Sequence, residues 1–196
     1  MSALLDRVEA FVKAEFSRAL PAELTYHSPE HTEMVVENCK LLAHESGLNA
    51  DDTELVLIAA WMHDIGLTKR YEGHEAASCD IAATLLDAEK YPQQSIEKVL
   101  GCIRVTQIPQ IPQTLLEKVV CDADLLYLGT NNYTLWADRL RAELQNALHQ
   151  IYTDEEWRKY QLTFLYSHRY HTPYASRVFE QKLQDVIKQL EAETSR

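Results

Sequence analysis

The sequence predicts an all-α protein, a single-domain helical bundle, from three observations. The chain of 196 residues contains only 5 Gly and 6 Pro, so few positions interrupt regular structure. Apolar residues recur at helical spacing rather than in alternation, which argues against strands. Helix-capping residues stand before several of these apolar stretches. The length suits one domain over residues 1–196, with its core at roughly 22–130 and with an N-terminal helix and C-terminal helices packed on it.

The first two helices begin at recognisable caps. Ser2 can cap a helix whose apolar stripe begins at Leu4. Ser28-Pro29-Glu30 is a second start, because serine caps well and proline is favoured at the first helical position. This second helix is expected to stop at Gly47, since glycine commonly ends a helix.

The rest of the chain continues in the same way. Asp51 or Asp52 is expected to cap a third helix that ends in His63-Asp64-Ile65-Gly66, with Gly66 in the usual terminator position. The prolines of segment 108–112 cannot continue a helix, so this segment should be a connector. Further helices are expected at about 73–90, 92–107, 113–128, 132–150, 153–170 and 173–193.

Composition limits the partners and the compartment. A net charge of −11 disfavours a general nucleic-acid binder or a binder of anionic membranes. No apolar run is long enough to span a bilayer, and the acid at Asp6 leaves no visible signal peptide. The four cysteines form no C-x-x-C pair and are expected to be free thiols in a reducing compartment: Cys39, Cys79, Cys102 and Cys121. We therefore expect a cytoplasmic protein, whose oligomeric state the sequence does not indicate.

Three separated segments carry residues that suit a metal site. His31 falls in the first turn of the second helix, His63-Asp64 ends the third, and Asp124 lies in an otherwise apolar stretch. First-row divalent metals favour imidazole and carboxylate ligands on rigid elements. Taken singly, each residue has an ordinary explanation: a capping histidine, a chance pair, or an aspartate paired with an arginine. Together, at these positions, they favour a metal centre.

The pattern H…HD…D on predicted helices resembles the HD superfamily of metal-dependent phosphohydrolases, over roughly residues 22–130. The resemblance implies four metal ligands: His31, His63, Asp64 and Asp124. Asp124 is preferred to Asp122 as the last ligand, because Ala123-Asp124-Leu125-Leu126 matches the family's Ala-Asp-x-Leu-like context. Asp122 would then orient a ligand or a water. The implied reaction is hydrolysis of a phosphate ester or anhydride, with a nucleotide preferred, by a hydroxide on the metal.

The number of metals follows from the histidines after the HD pair. Some HD families hold two metals through additional histidines there. Residues 100–106, where such a histidine is expected, contain none, and His74 is the only candidate just downstream of the pair. The resemblance therefore implies one divalent metal ion, with Mn²⁺ preferred and Mg²⁺, Co²⁺, Ni²⁺, Fe²⁺ or Zn²⁺ as alternatives. His74 would contact a phosphate or a metal-bound water, or it could equally be an ordinary polar residue at a helix start.

Other residues are candidates for catalysis and substrate binding. His27 stands four residues before His31, and this stretch is similar to the one in cyclic nucleotide phosphodiesterases whose first histidine is the general acid. Alternatively, His27 only packs before the helix cap. Asp64 could help to orient the nucleophile. The cationic candidates for binding phosphate, of which we favour the first, are Lys69, Arg70 and Arg104.

Two other functions stay open at this point. An HD scaffold can carry a di-iron oxygenase, which needs two metals per chain, or a non-catalytic regulatory domain that binds a nucleotide. Residues 157–179 contain no acid and many aromatics, which could cover a nucleotide but more often pack against a bundle. Arg169 and His171 in this segment are weaker substrate candidates. The expected partner is a small phosphorylated substrate, with no general nucleic-acid binding and no membrane.

Overall fold

The prediction of an all-α fold is confirmed. The computed structural model describes residues 2–194, which form nine α-helices and two short 3-10 helices and contain no strand. The α-helices are α1 Ala3–Ala19, α2 Pro29–Glu45, α3 Ala50–Met62, α4 His74–Ala88, α5 Gln93–Arg104, α6 Leu115–Asp124, α7 Tyr133–Leu148, α8 Asp154–Ser167 and α9 Pro173–Thr194. The 3-10 helices are Ile65–Thr68 and Leu126–Gly129. The ends of the domain predicted over 1–196, namely Met1, Ser195 and Arg196, lie outside the described residues.

Side-chain caps explain where most of the early helices start. Ser2 accepts a hydrogen bond from the Leu5 amide, and Ser28 accepts one from the His31 amide, as the sequence predicts. The expected cap of α3 at Asp51 or Asp52 is wrong. Asn49 is the cap, because its side chain accepts from the Asp52 amide and so places both aspartates inside the first turn, where carboxylates favour the helix dipole.

Gly66 does not end α3 in a left-handed conformation, so the predicted terminator role is wrong. It lies in the 3-10 helix Ile65–Thr68, and its amide donates to the Ser78 hydroxyl at 2.8 Å. The glycine is needed for space, since a Cβ there would stand 2.0 Å from the His74 carbonyl oxygen. The backbone of α4 therefore packs directly on the turn that follows His63-Asp64, which keeps His74 close to the pair.

The helix expected at 113–128 is also shorter than predicted. It ends at Asp124, and the chain then turns into the 3-10 helix Leu126–Gly129, against which α7 and α9 pack. The change of geometry leaves Asp124 at a helix end rather than inside a helix. Its carboxylate is thereby placed among other helix ends.

Helix α3 is the centre of the bundle. Residues 55–62 are all buried, and α3 packs against α1, α2, α5 and α6. A helix that is apolar on every side has to be enclosed in this way. The start of α2 and the ends of α3 and α6 meet at one end of this core, which is where the polar residues of the site lie. No helix among residues 2–194 is long and apolar enough to cross a membrane.

The C-terminal segment packs on the bundle for the most part. Trp157 and Tyr170 are buried, whereas Tyr160 and Tyr166 are exposed. The four cysteines are all buried and free, as the sequence predicts.

Candidate metal centre

Four buried side chains from three helix ends meet in one cluster: His31, His63, Asp64 and Asp124. His31 stands in the first turn of α2 because Ser28 caps that helix. His63 and Asp64 follow α3 directly, and Asp124 is the last residue of α6. The exposed fractions of the four residues are 1%, 1%, 3% and 8%. Such burial of two carboxylates is unfavourable unless they are paired or bound to a cation.

The nitrogen and oxygen atoms of the cluster alternate around a common centre. The Nε2 atom of His31 is 3.1 Å from Oδ1 of Asp124 and 3.8 Å from Oδ2 of Asp64. The Nε2 atom of His63 is 3.1 Å from Oδ2 of Asp64 and 3.8 Å from Oδ1 of Asp124. Each nitrogen thus has both carboxylates as neighbours.

Two atoms of the cluster have no hydrogen-bond partner, and this bears on whether the cluster suits a metal. His63 Nε2 and Asp64 Oδ2 are buried and have no hydrogen-bond partner within the described residues, although they lie 3.1 Å apart. The other ring nitrogen of His63, Nδ1, donates a hydrogen bond to the Ala60 carbonyl oxygen at 2.8 Å, which leaves Nε2 available as a ligand. Unsatisfied buried polar atoms are unfavourable. A divalent cation among two imidazoles and two carboxylates would satisfy all of them, so the residues fit a first-row metal.

The electrostatics of the metal-free cluster agree with this. Burial lowers the pKa of His63, but the carboxylates of Asp64 and Asp124 outweigh burial and raise that pKa to about 9. Burial alone would raise the pKa of Asp64, yet the neighbouring histidines His63, His27 and His74 bring it well below its usual range. Without a metal, a proton therefore partly takes the place of the cation, and metal binding should release it.

A second group of metal-ligand atoms adjoins the first. His27, Asp64 and His74 have ligand atoms within 4.8 Å of one another. The two oxygens of Asp64 face different groups, because Oδ2 is directed at His63 and Oδ1 lies 3.4 Å from Nε2 of His74. His74 is oriented by a bond between its Nδ1 and the Tyr71 carbonyl oxygen at 2.9 Å.

Glu143 is a functional candidate that the sequence analysis missed. This fully buried residue of α7 accepts four hydrogen bonds: from the Tyr26 amide at 2.9 Å, the His27 amide at 2.9 Å, His27 Nδ1 at 2.5 Å and the Tyr71 hydroxyl at 3.0 Å. Burial alone would raise the pKa of Glu143, but the bonds and charge of His27 outweigh it and lower the pKa. An ionised carboxylate thus holds the His27 ring against the site. A glutamate beside Leu140 and Leu144 on an apolar helix face was the available signal.

Asp122 does not lie in the metal cluster. Both of its oxygens accept backbone N–H bonds of the α8–α9 connection, from His171 at 2.8 Å and from Thr172 at 2.7 Å. Asp122 therefore anchors the C-terminal segment to α6. This contact accounts for the buried aspartate without a part in orienting a metal ligand.

The predicted cationic residues lie outside the site. Lys69 and Arg70 line a separate surface depression, and Arg70 donates to the Gly73 carbonyl oxygen at 3.2 Å. Arg104 is exposed at the end of α5, and Arg169 bonds carbonyl oxygens of its own turn. The turn Ile65–Thr68 carries the chain away from the cluster immediately after the HD pair. Nearness to that pair in sequence is therefore not nearness in space.

A cavity of about 440 Å³ opens onto the cluster. One wall consists of polar residues of the site: His27, His63, Asp64, His74 and Asp124. Much of the remaining lining consists of apolar and aromatic residues from 125–128, α7 and α8. Three residues of the cluster thus line a cavity large enough for a small organic molecule.

Comparison with known proteins relates the chain to a family and to a solved structure. Residues 30–128 match the family model described as HD domain. The fold is similar to the crystal structure of a protein from Lactobacillus plantarum, with a TM-score of 0.71 and 18% sequence identity over 100% of this chain and 98% of that chain. At this identity the likeness establishes the fold alone. Comparison with curated proteins gives no match.

Proposed function

Because the chain belongs to the HD domain family, we propose that it is a metal-dependent phosphohydrolase that cleaves a phosphate ester or anhydride. The observation that carries this proposal is the buried cluster of two histidines and two aspartates with orphaned ligand atoms beside a cavity. The four buried free thiols suit a reducing compartment, so we place the activity in the cytoplasm.

The proposed metal site holds one divalent ion, with Mn²⁺ preferred, and its ligands are His31, His63, Asp64 and Asp124. When bound, such an ion lowers the pKa of a water and polarises a phosphoryl oxygen. Asp64 has a second oxygen, Oδ1, that faces the cavity wall rather than the cluster. That oxygen can accept a hydrogen bond from a water and so orient it towards the phosphorus.

His27 is proposed as the proton donor to the leaving group. It lines the cavity, and its Nδ1 is held by the buried carboxylate of Glu143. Because Nδ1 is occupied by this carboxylate, the proton that His27 would give to the leaving group is carried on Nε2. His74 lies next to it and can contact a phosphate oxygen through Nε2, since its Nδ1 is occupied by Tyr71. The phosphate-binding roles of Lys69, Arg70 and Arg104 stay predictions, and the positions of these residues do not support them.

The test combines a metal count with a turnover screen. Protein purified without chelator should contain about one transition metal per chain. It should also hydrolyse a member of a panel of nucleotides and phosphate esters with Mn²⁺, Mg²⁺, Co²⁺ or Ni²⁺. His31→Gln should lose the metal, whereas His44→Gln is a matched control, because His44 is an exposed histidine of the same helix. Absence of turnover across the panel with the metal bound would contradict the proposal.

The second group of ligand atoms favours one alternative, a di-iron oxygenase. Its three members, His27, Asp64 and His74, could complete a second metal site beside the first. This alternative requires two tightly bound irons per chain and consumption of O₂. A non-catalytic regulatory domain would instead bind its ligand without turnover, and the same screen separates it.

A further inference from the structure

The charges that face the cavity restrict the substrate. No lysine or arginine among residues 2–194 lines it, but four carboxylates do: Asp64, Glu72, Glu75 and Asp124. One divalent cation would balance Asp64 and Asp124. Of the other two carboxylates, Glu75 lies 3.7 Å from His74 Nε2, which can balance its charge only when His74 is protonated. Within the described part of the chain, the lining groups that can carry positive charge are histidines. Proteins that bind several phosphates generally supply lysine, arginine or a nest of backbone amides for them.

Much of the cavity lining is apolar. It includes Leu128, Leu140 and Leu144, together with Trp157 and Phe164 of α8. We call these five residues the apolar chamber. Tyr160 stacks on Trp157 at the chamber's rim, with a centroid distance of 5.2 Å and an interplanar angle of 13°. An apolar group that enters this space leaves water and contacts side chains on several sides.

Two hydroxyl groups of the cavity lining are already hydrogen-bonded within the protein. The Tyr133 hydroxyl accepts from the Gln161 amide at 2.8 Å, and the Tyr71 hydroxyl donates to Glu143 at 3.0 Å. The edge of a nucleobase or the hydroxyls of a sugar would have to compete with these bonds. A substrate part without hydrogen-bonding groups does not meet this competition.

We infer that the substrate is a phosphate monoester of an apolar, uncharged alcohol, with its single phosphate at the metal cluster and its organic part in the apolar chamber. This inference rests on the proposed phosphohydrolase function. In the reaction, the water oxygen forms a bond to phosphorus and the ester P–O bond breaks. The alcohol oxygen takes a proton from His27. The attacking water keeps one proton as part of the released hydrogen phosphate and gives the other to solvent, and His27 regains its proton from solvent.

The first test compares substrates on the native Mn²⁺-loaded protein. Phenyl phosphate and 1-naphthyl phosphate are both aryl monoesters, but the second has more apolar surface to bury. The kcat/KM for 1-naphthyl phosphate should be roughly tenfold higher, as expected for one additional ring transferred out of water. Both should exceed ATP and AMP. Equal values for the two aryl esters, or a preference for either nucleotide, would overturn the inference.

The second test fills the chamber. Ala137 of α7 lines the cavity and is buried, so Ala137→Leu should narrow it and lower the ratio of naphthyl to phenyl turnover about tenfold. Ala142→Leu is the same substitution on the same helix outside the cavity lining, and it should leave the ratio unchanged. An unchanged ratio in a folded Ala137→Leu variant would count against the chamber as the binding site.

Binding of 1-naphthol to metal-free protein, followed by calorimetry, separates this inference from the proposed function. Naphthol should bind the native protein and the Ala142→Leu variant more tightly than the Ala137→Leu variant. Naphthol binding without turnover of any phosphate compound would refute the phosphohydrolase and leave the apolar preference of the chamber standing. Turnover of phosphate compounds without naphthol binding would refute the apolar substrate and leave the phosphohydrolase standing.

Discussion

Replacing Glu143 by glutamine removes one negative charge from beneath His27 and changes almost no volume. The carboxylate accepts two backbone N–H bonds on Oε2, from Tyr26 and His27, and two side-chain bonds on Oε1, from His27 Nδ1 and the Tyr71 hydroxyl. The two backbone N–H groups can donate a hydrogen bond but cannot accept one. The glutamine oxygen must therefore stay on their side, and its NH₂ group must face the His27 ring and Tyr71.

That arrangement predicts a specific loss. His27 Nδ1 can accept from the new NH₂ group, so the ring can keep its place, but a ring that carries protons on both nitrogens would then direct its Nδ1–H at a donor. A general acid contributes about 10²–10⁴-fold to rate, and less when the leaving group is already good. Glu143→Gln should therefore lower kcat on hexyl phosphate by about 10²-fold or more, and much less on p-nitrophenyl phosphate. The loss of charge-assisted bonds should also lower the free energy of unfolding by about 1–3 kcal/mol.

The assay is the ratio of the two kcat values, together with the metal content. Asp138→Asn removes an exposed carboxylate from the same helix and should change neither quantity. Equal losses of kcat on both substrates would mean that Glu143 only supports the fold or positions the substrate. Loss of the metal would mean that its effect reaches the metal ligands and that the proposed role of His27 is wrong.

Three further predictions concern aspartates and histidines at or near the site. Asp124→Ala should abolish metal binding, which elemental analysis measures. Asp122→Ala should keep the metal but lower the free energy of unfolding by about 1–3 kcal/mol, because two buried N–H groups lose their acceptor. Urea unfolding measures this loss. His74→Ala should retain the single metal, and a fall from two metals to one would instead show that His27, Asp64 and His74 form a second site. Burial, aided by His171 and Arg169, lowers the pKa of His168 to about 4. The unfolded chain then takes up the proton first as pH falls below about 6.5, so stability is lost from there towards pH 4. Urea unfolding should show roughly 2 kcal/mol lost between pH 7.5 and pH 5, and less in His168→Gln.

Residues whose position depends on local geometry could be anticipated from the sequence. Ser28 fixes the start of α2 and therefore places His31 in its first turn, and the apolar run before His63 predicts that the pair emerges at the end of a buried helix. Helix ends that carry polar residues after apolar stretches are expected to meet at the border of a core. The four cluster residues follow from that reasoning together with the family resemblance.

Residues whose position depends on distant packing could not be anticipated in this way. Glu143 acts on His27 across 116 positions of sequence, so its role becomes visible only once α7 is placed against the loop before α2. The phosphate-binding role of Lys69 stays a prediction, and the position of this residue does not support it. It follows the HD pair closely in sequence, but the 3-10 turn directs it to another surface. The space requirement at Gly66 likewise depends on α4.

The stretch from His63 to Ser78 links the metal cluster to the two cavity histidines, His27 and His74. It supplies two cluster residues and then turns at Gly66, whose missing side chain lets α4 approach. Tyr71 in this stretch makes two contacts that matter, since its carbonyl oxygen orients His74 and its hydroxyl bonds the carboxylate that holds His27. One short segment thus positions the metal ligands and both cavity histidines relative to one another. Changes to the backbone of this turn should therefore disturb metal binding and proton donation together, whereas changes to its exposed cations should disturb neither.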